Sequence, residues 1–287
     1  MSYAIMTDSV SDLTSQMARD WDVTVVPLGV AAGDSLYADE ESSLPRAKFY
    51  AMLRQGVKAS TCAVNSYQFQ EAMKPILEGG QDILYVGMCA TMSATYEAAQ
   101  DAAEQLSAQF PNRRIAVVDS RCGTYAQALL VYLTVERRRQ GAGLEEATQF
   151  VRETGGKICH WFALSDLQHL KRGGRISASS AVLGSLLQMK PLVHLTDNCQ
   201  LVVANKIRGR KASIRALVNM VESRAVNPKK DPIFISHCDC PQDAQWLADA
   251  LHQELGADNV LIGEMGPVIA VHGGPDALGV YFIGSPR

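Results

Sequence analysis

The chain has no apolar run approaching the roughly 20 residues that a membrane span requires. Its first residues, Met1 to Asp8, carry neither a basic start nor an apolar stretch suited to a secretory leader, so the expected location is the cytoplasm. Seven cysteines, an odd and mostly scattered set, exclude a regular disulfide framework. In a reducing compartment most of them read as small buried hydrophobes. The cluster His237-Cys238-Asp239-Cys240 lacks a second Cys/His pair to complete a tetrahedral set, so no metal is expected. No P-loop or paired-carboxylate metal site is present, which excludes independent ATP hydrolysis. Neither charge sign dominates: the net charge of -3 argues against an extended nucleic-acid or membrane-surface protein. Internal repeats, low-complexity tracts and coiled-coil heptads are also missing.

What is present is an ordinary globular composition, 47% hydrophobic and 20% charged over 287 residues, a length that suits about two domains. Short apolar runs at Tyr3 to Met6, Val23 to Val30, Asp82 to Met88 and Arg114 to Asp119 read as strands. Helical periodicity marks Ser11 to Asp20, Pro45 to Gln55, Ser66 to Glu78 and Ser93 to Phe110, with Ser or Pro at their starts. Apolar strands separated by helices predict an open, mostly parallel sheet covered on both faces.

Two further helices, Thr124 to Gln140 and Leu144 to Arg152, lead to Gly155-Gly156. We place a domain boundary there, giving lobes 1–155 and 156–287. The second half reads as mixed α+β: a strand near Ile158 to Leu164, a helical passage through Leu187, and a hairpin of Pro191 to Thr196 with Leu201 to Lys206. A helix (Lys211 to Ala225), a strand (Pro232 to His237), a helix with Trp246, Leu247, Ala250 and Leu251 on one face, and two final strands follow.

In an open parallel sheet, ligands bind beyond the carboxyl ends of the strands. Thr7-Asp8-Ser9, Thr61 to Ser66 and Cys89 to Thr95 fall at such places, where hydroxyls and helix N-termini can meet an anion. The same residues serve equally as helix caps, each worth about 1 kcal/mol. A fourth place is His272-Gly273-Gly274-Pro275, after the apolar run Val268 to Val271. Its glycines allow close approach to a ligand, or simply a tight turn.

The near-neutral total hides a separation of charge. Residues 1–155 carry -6 and residues 156–287 carry +3. Between Lys171 and Arg215 stand nine basic residues, among them Lys171, Arg172, Arg175 and Arg208, against the single acid Asp197. Such a segment can meet phosphate, an anionic membrane or an acidic partner, or it can be a solvated face. It contains no Phe, Tyr or Trp, so stacked single-stranded bases have no platform.

Six passages in order, Thr7 to Leu13, Met92-Ser93-Ala94-Thr95-Tyr96, Val118-Asp119-Ser120, Leu167 with Leu170 to Ile176, Lys190-Pro191 and His272 to Pro275, resemble the DegV family of fatty-acid-binding proteins. The resemblance runs along nearly the whole chain. It implies two α/β lobes with a long-chain fatty acid between them, no cofactor and no catalysis by the chain itself. The implied carboxylate ligands are Thr61, Ser93 and His272, with Ala94 and Thr95 completing the head-group loop. It further implies a fatty acid kinase as partner, which would convert the presented acid to acyl-phosphate. Lys171, Arg172, Arg175 and Arg208 would then face that kinase, the new phosphate or, transiently, a membrane surface.

Departures from the family pattern fall at the head group. Thr61-Cys62-Ala63-Val64-Asn65 stands where many relatives have Thr-Ser-Gln-Pro-Ser, and Cys89-Ala90 replaces a pair of serines. Ala94 replaces the glycine of Ser-Gly-Thr, at an expected cost of roughly 1 kcal/mol if that glycine needs positive φ. Asp276 replaces a common glycine. Competing readings are an acyl hydrolase or phosphotransferase using Ser93 and His272, and nucleic-acid binding through Lys171 to Arg215. Around Ser93, Thr91-Met92-Ser93-Ala94-Thr95 lacks both glycines of a nucleophile elbow. No nucleic-acid partner is expected.

Overall fold

The computed structural model describes residues 2–176 and 189–285. The elements run β1 (Tyr3–Asp8), a 3₁₀ turn (Ser9–Ser11), α1 (Ser15–Trp21), β2 (Val23–Val26), β3 (Gly29–Ala32), β4 (Ser35–Ala38), α2 (Arg46–Arg54), β5 (Ala59–Cys62) and α3 (Ser66–Glu78). Then come β6 (Asp82–Gly87), α4 (Thr95–Gln109), β7 (Ile115–Asp119), α5 (Thr124–Arg139), α6 (Leu144–Gly155), β8 (Ile158–Ala163) and α7 (Gln168–Arg172). The chain closes with β9 (Met189–Leu195), β10 (Leu201–Arg208), α8 (Arg210–Arg224), β11 (Ile233–His237), α9 (Pro241–Leu255), β12 (Val260–Glu264), α10 (Pro267–Gly273) and β13 (Leu278–Ile283).

Local chemistry explains the helix starts. Thr14 accepts from the Met17 N–H at 3.1 Å, so α1 begins several residues after the expected Ser11. Asn65 and Gln68 form a reciprocal capping box at the head of α3. Prolines open α9 and α10 at positions where no N–H is needed.

Among the described residues three sheets result. A four-stranded parallel sheet has the order β2-β1-β6-β7, and a six-stranded mixed sheet has the order β10-β9-β8-β13-β11-β12. Both agree with the expected α/β and α+β halves. A third, antiparallel sheet, β4-β3-β5, is an addition that the strand reading missed. The single strand expected over Val23 to Val30 divides at Pro27 and Leu28 between two sheets. Proline has no N–H for a continuous ladder, so the chain changes partners there. The helical passage expected up to Leu187 lies partly outside the described residues, from 177 onward.

The sheets share their cores. Helix α5 is buried on nearly every side along its first three turns, the pattern of an interior helix. Its Tyr125 and Leu129 pack in one cluster with Ile5 and Val86 of the first sheet and Ile158, Phe234 and Tyr281 of the second. Polar bonds cross the same boundary: Arg46 donates to the carbonyls of Asp12 (2.9 Å) and Glu264 (2.6 Å), and the Gly266 N–H donates to Asp12 Oδ1 (2.7 Å). Gly155, at the expected domain boundary, ends α6 in close packing, where a Cβ would overlap the Ser120 carbonyl oxygen. Trp246 also departs from its expected face. Leu247, Ala250 and Leu251 are buried, but Trp246 is 39% exposed with the Arg215 guanidinium 5.4 Å from its ring centroid.

Candidate functional site

A cavity of about 360 Å³ lies beyond the carboxyl ends of β1 and β6, against one face of the six-stranded sheet. Its volume falls within the range of small-molecule sites, about 300–1,000 Å³. Alternation builds the far wall. His160 and Phe162 on β8, and Val193 and Leu195 on β9, stand two residues apart and therefore share a face. Trp161 and Ala163 point the other way, into the core beneath α8 and α9. The near wall comes from Val10, Met88 and Met92, with Val268 and Ile269 of α10 closing one side.

Thr61, Ser93, Arg175 and His272 supply one set of polar groups to the lining, and Thr124 and His160 line it as well. Thr61, expected in a loop, sits in β5, where pairing with Val30 fixes it. Its Oγ1 lies 3.1 Å from His272 Nε2. His272 belongs to α10, because the apolar run Val268 to Val271 is a helical turn. Ser93 Oγ lies 2.9 Å from Thr95 Oγ1, and Thr95 Oγ1 accepts from the Val64 N–H at 3.4 Å. That bond draws the loop after β6 toward the end of β5. Thr61, Ser93, Ala94 and His272 all line the cavity, whereas Thr95 is fully buried behind them.

Arg175 also lines the cavity, its Nε and Nη2 donating to the Met92 carbonyl at 3.3 and 3.1 Å. Lys171, Arg172 and Arg208 are exposed and do not line it. Elsewhere the basic segment is partly neutralised in place, by pairs Arg210–Asp243 (2.7 Å) and Arg215–Glu254 (2.6 Å). These acids lie outside the counted stretch, so the sequence count overstated its local charge.

Burial sets the electrostatics of the head-group end. Desolvation, then Arg175 and His169, push His272 down to about 4, leaving a neutral imidazole near pH 7. Among the described residues its Nδ1 is buried without a hydrogen-bond partner, and it packs against Gly173. We assign the proton to Nε2, donating to Thr61 Oγ1, because a buried N–H left unpaired at Nδ1 is the costlier choice. Thr61 then keeps its own hydroxyl proton free to donate into the cavity. No carboxylate orients His272, and no hydrogen bond joins it to Ser93 among the described residues. That arrangement lacks the relay a serine hydrolase needs.

Two expectations about departures resolve in geometry. Ala94 has φ -70°, an ordinary helical value, so the expected glycine penalty does not arise. Asp276 does adopt positive φ, 63°, and its carboxylate accepts from Arg54 at 2.8 Å. The first anion candidate is structural: Thr7 donates to the Val86 carbonyl at 2.8 Å, and buried Asp8 accepts from Tyr85 O–H at 2.6 Å and Met88 N–H at 3.0 Å. The wall residues of β8 and β9 were missed, since β8 is an almost continuous apolar run and the polar residues of β9, Lys190 and His194, stand on its other face. Only the polar His160 breaking that run hinted at a cavity-facing row.

Comparison with known proteins matches this architecture from end to end. The profile of the DegV family, described as uncharacterised proteins, matches residues 2–285. A DegV domain-containing protein of Clostridium perfringens is 37% identical over 286 residues, covering 99% of this chain and 98% of that one. The solved structure of a fatty-acid-binding DegV family protein from Thermus thermophilus superposes with TM-score 0.88 at 27% identity, covering 98% of this chain and 99% of the other. One from Streptococcus agalactiae, also described as fatty acid binding, gives 0.85 at 25% identity with 98% of each chain covered. With the sequence profile, a full-length relative and the three-sheet architecture in agreement, the chain belongs to the DegV family.

Proposed function

We propose that this chain is a carrier that holds a long-chain fatty acid in the cavity between two lobes, 1–155 and 156–287, with the carboxylate at Thr61, Ser93 and His272. The observation that carries the reading is a largely apolar cavity of about 360 Å³ that Thr61, Ser93 and His272 line together, with Thr61 hydrogen-bonded to His272. A buried carboxylate needs hydrogen-bond donors or it takes up a proton. The Thr61 and Ser93 hydroxyls supply donors, neutral His272 fixes the Thr61 hydroxyl, and Arg175 contributes positive charge nearby.

Energetics assign different tasks to the two ends. Each buried methylene contributes about 0.8 kcal/mol, so a tail of some fourteen gives roughly 11 kcal/mol before association costs. Affinity comes from the tail and orientation from the head group. The relatives from Thermus thermophilus and Streptococcus agalactiae, described as fatty acid binding, support the ligand class.

The carrier presents the bound acid to a fatty acid kinase, with exposed Lys171, Arg172 and Arg208 toward the kinase, the product phosphate or a membrane surface. The support is the exposure of all three and the position of Lys171 and Arg172 in the short helix just before Arg175, whose guanidinium reaches the head-group loop. Mass spectrometry of organic extracts from purified protein tests the ligand: a fatty acid of long chain is expected, and its absence from both native and palmitate-incubated protein would sink the reading. Adding a fatty acid kinase and ATP to loaded protein should yield acyl-phosphate, with Arg172→Glu reducing the rate.

A further inference from the structure

Cys89 and Cys199 are far apart in sequence but meet at the rim of the cavity. Cys89 follows β6, its N–H donates to the Cys122 carbonyl at 2.8 Å, and its Sγ lies 3.3 Å from Thr91 Oγ1. Cys199 stands at the tip of the β9–β10 hairpin, and its carbonyl accepts from the same Thr91 hydroxyl at 3.0 Å. The two thiols are neighbours that influence each other's ionisation, on either side of the Thr91 hydroxyl. A third residue completes the cluster: the Cys199 thiol donates to the Arg121 carbonyl at 3.9 Å, and the Arg121 guanidinium lies beside that sulfur and donates to the Asp197 carbonyl.

The two sulfurs have unequal surroundings. The neighbouring Cys199 thiol, and then burial, push the Cys89 thiol up, so it stays protonated. Cys199 is 6% exposed at a turn, beside a guanidinium that stabilises negative charge on sulfur. Reactive cysteines occupy electropositive sites, and a neighbouring second thiol resolves their oxidised form. The environment therefore fits Cys199 as the attacking sulfur and Cys89 as the resolving one.

We propose that hydrogen peroxide converts Cys89 and Cys199 into a disulfide that ties the loop carrying Ser93 to the β9–β10 hairpin. The Cys199 sulfur attacks one peroxide oxygen, the O–O bond breaks, and the departing hydroxide takes the thiol proton to leave as water. Cys199 is then a sulfenic acid. The Cys89 sulfur displaces its hydroxyl, which leaves as a second water with the Cys89 proton as the S–S bond forms. The two thiols lose two electrons in all, and one peroxide is reduced to two waters.

The bond would join opposite walls of the cavity. The loop supplies Met92, Ser93 and Ala94, and the strands flanking the hairpin tip supply Leu195 and Leu201. Holding them together slows ligand entry and release, a consequence that rests on the fatty-acid reading, whereas the disulfide itself does not.

Peptide mapping of the full chain after peroxide treatment and alkylation tests the bond. A linked peptide containing Cys89 and Cys199 is expected, while exposed Cys62 forms no crosslink within the monomer. Arg121→Gln should slow linkage several-fold, and Cys89→Ser should leave Cys199 as a sulfenic acid that dimedone traps. Oxidation of Cys62 with no 89–199 peptide in the wild-type protein would overturn the proposal. Release of a fluorescent fatty acid should then be several-fold slower from the oxidised protein and recover with dithiothreitol. Equal release rates in the presence of the linked peptide would overturn the gating role. Absence of probe binding by reduced protein would refute the ligand reading alone and leave the mapped disulfide standing.

Discussion

Gly173 is the residue against which His272 is held. A Cβ there would overlap His272 Nδ1 and come within 2.7 Å of Cε1, with no flexible chain end to yield. Gly173→Ala should displace the imidazole, lengthen its bond to Thr61 and weaken fatty acid retention. Overpacking of this kind costs about 1–3 kcal/mol, so the variant should still fold. Tryptic stability together with a probe-binding titration checks both halves of that expectation. The imidazole itself should titrate near pH 4, visible as the midpoint of its ring-proton shift in NMR. Because this folded-state value lies below the ordinary 6.5, the group costs no stability above about pH 6.5. It destabilises progressively as pH falls from there to about 4, where the unfolded chain binds a proton that the folded chain does not.

Between elements, the Arg54 fork joins α2 to two turns of the other half, pairing with Asp239 at 2.6 Å and Asp276 at 2.8 Å. Both aspartates have positive φ, 57° and 63°. Asp276→Gly should remove backbone strain worth about 1 kcal/mol and lose an exposed ion pair worth about 0–1 kcal/mol, leaving the urea midpoint nearly unchanged at low salt. At high salt the ion pair is screened in the parent, so the glycine variant should become the more stable. Longer elements were legible, α3 from its single apolar face and α5 and β6 from apolar runs bounded by glycine or charged residues. The small antiparallel sheet was hidden because β3, β4 and β5 are four residues each and β5 alternates weakly. At the site, the motif residues Thr61, Ser93 and His272 could be named from resemblance, but not their packing. Thr61 meeting His272 depends on β5 pairing with β3 and on α10 folding as a helix, neither of which the local residues disclose.

Across the whole molecule, the shared cluster around α5 argues against independent halves. Trp21 packs in that cluster, and Trp161 packs in the core beneath α8 and α9. If the boundary at residues 155 and 156 were a loose linker, the two tryptophans would report separate transitions in urea. Burial of Tyr125 and Leu129 between the sheets predicts one transition instead. Trp21→Phe and Trp161→Phe variants, each followed by fluorescence and by circular dichroism, should give coincident curves within each protein. Separate midpoints for the two probes would show that the shared core is too weak to couple the halves.

The edge of the six-stranded sheet serves a further purpose. Among the described residues, β10 pairs on one side only, and its ladder shifts register between Val203 and Asn205. Exposed Lys206 and Arg208 follow directly after that irregularity. An open strand edge is a template for another copy of the chain, and a kink followed by like charges spoils the template. Whatever else these two cations meet, they repel the β10 edge of a second molecule, so this rim of the sheet stays unpaired at high protein concentration.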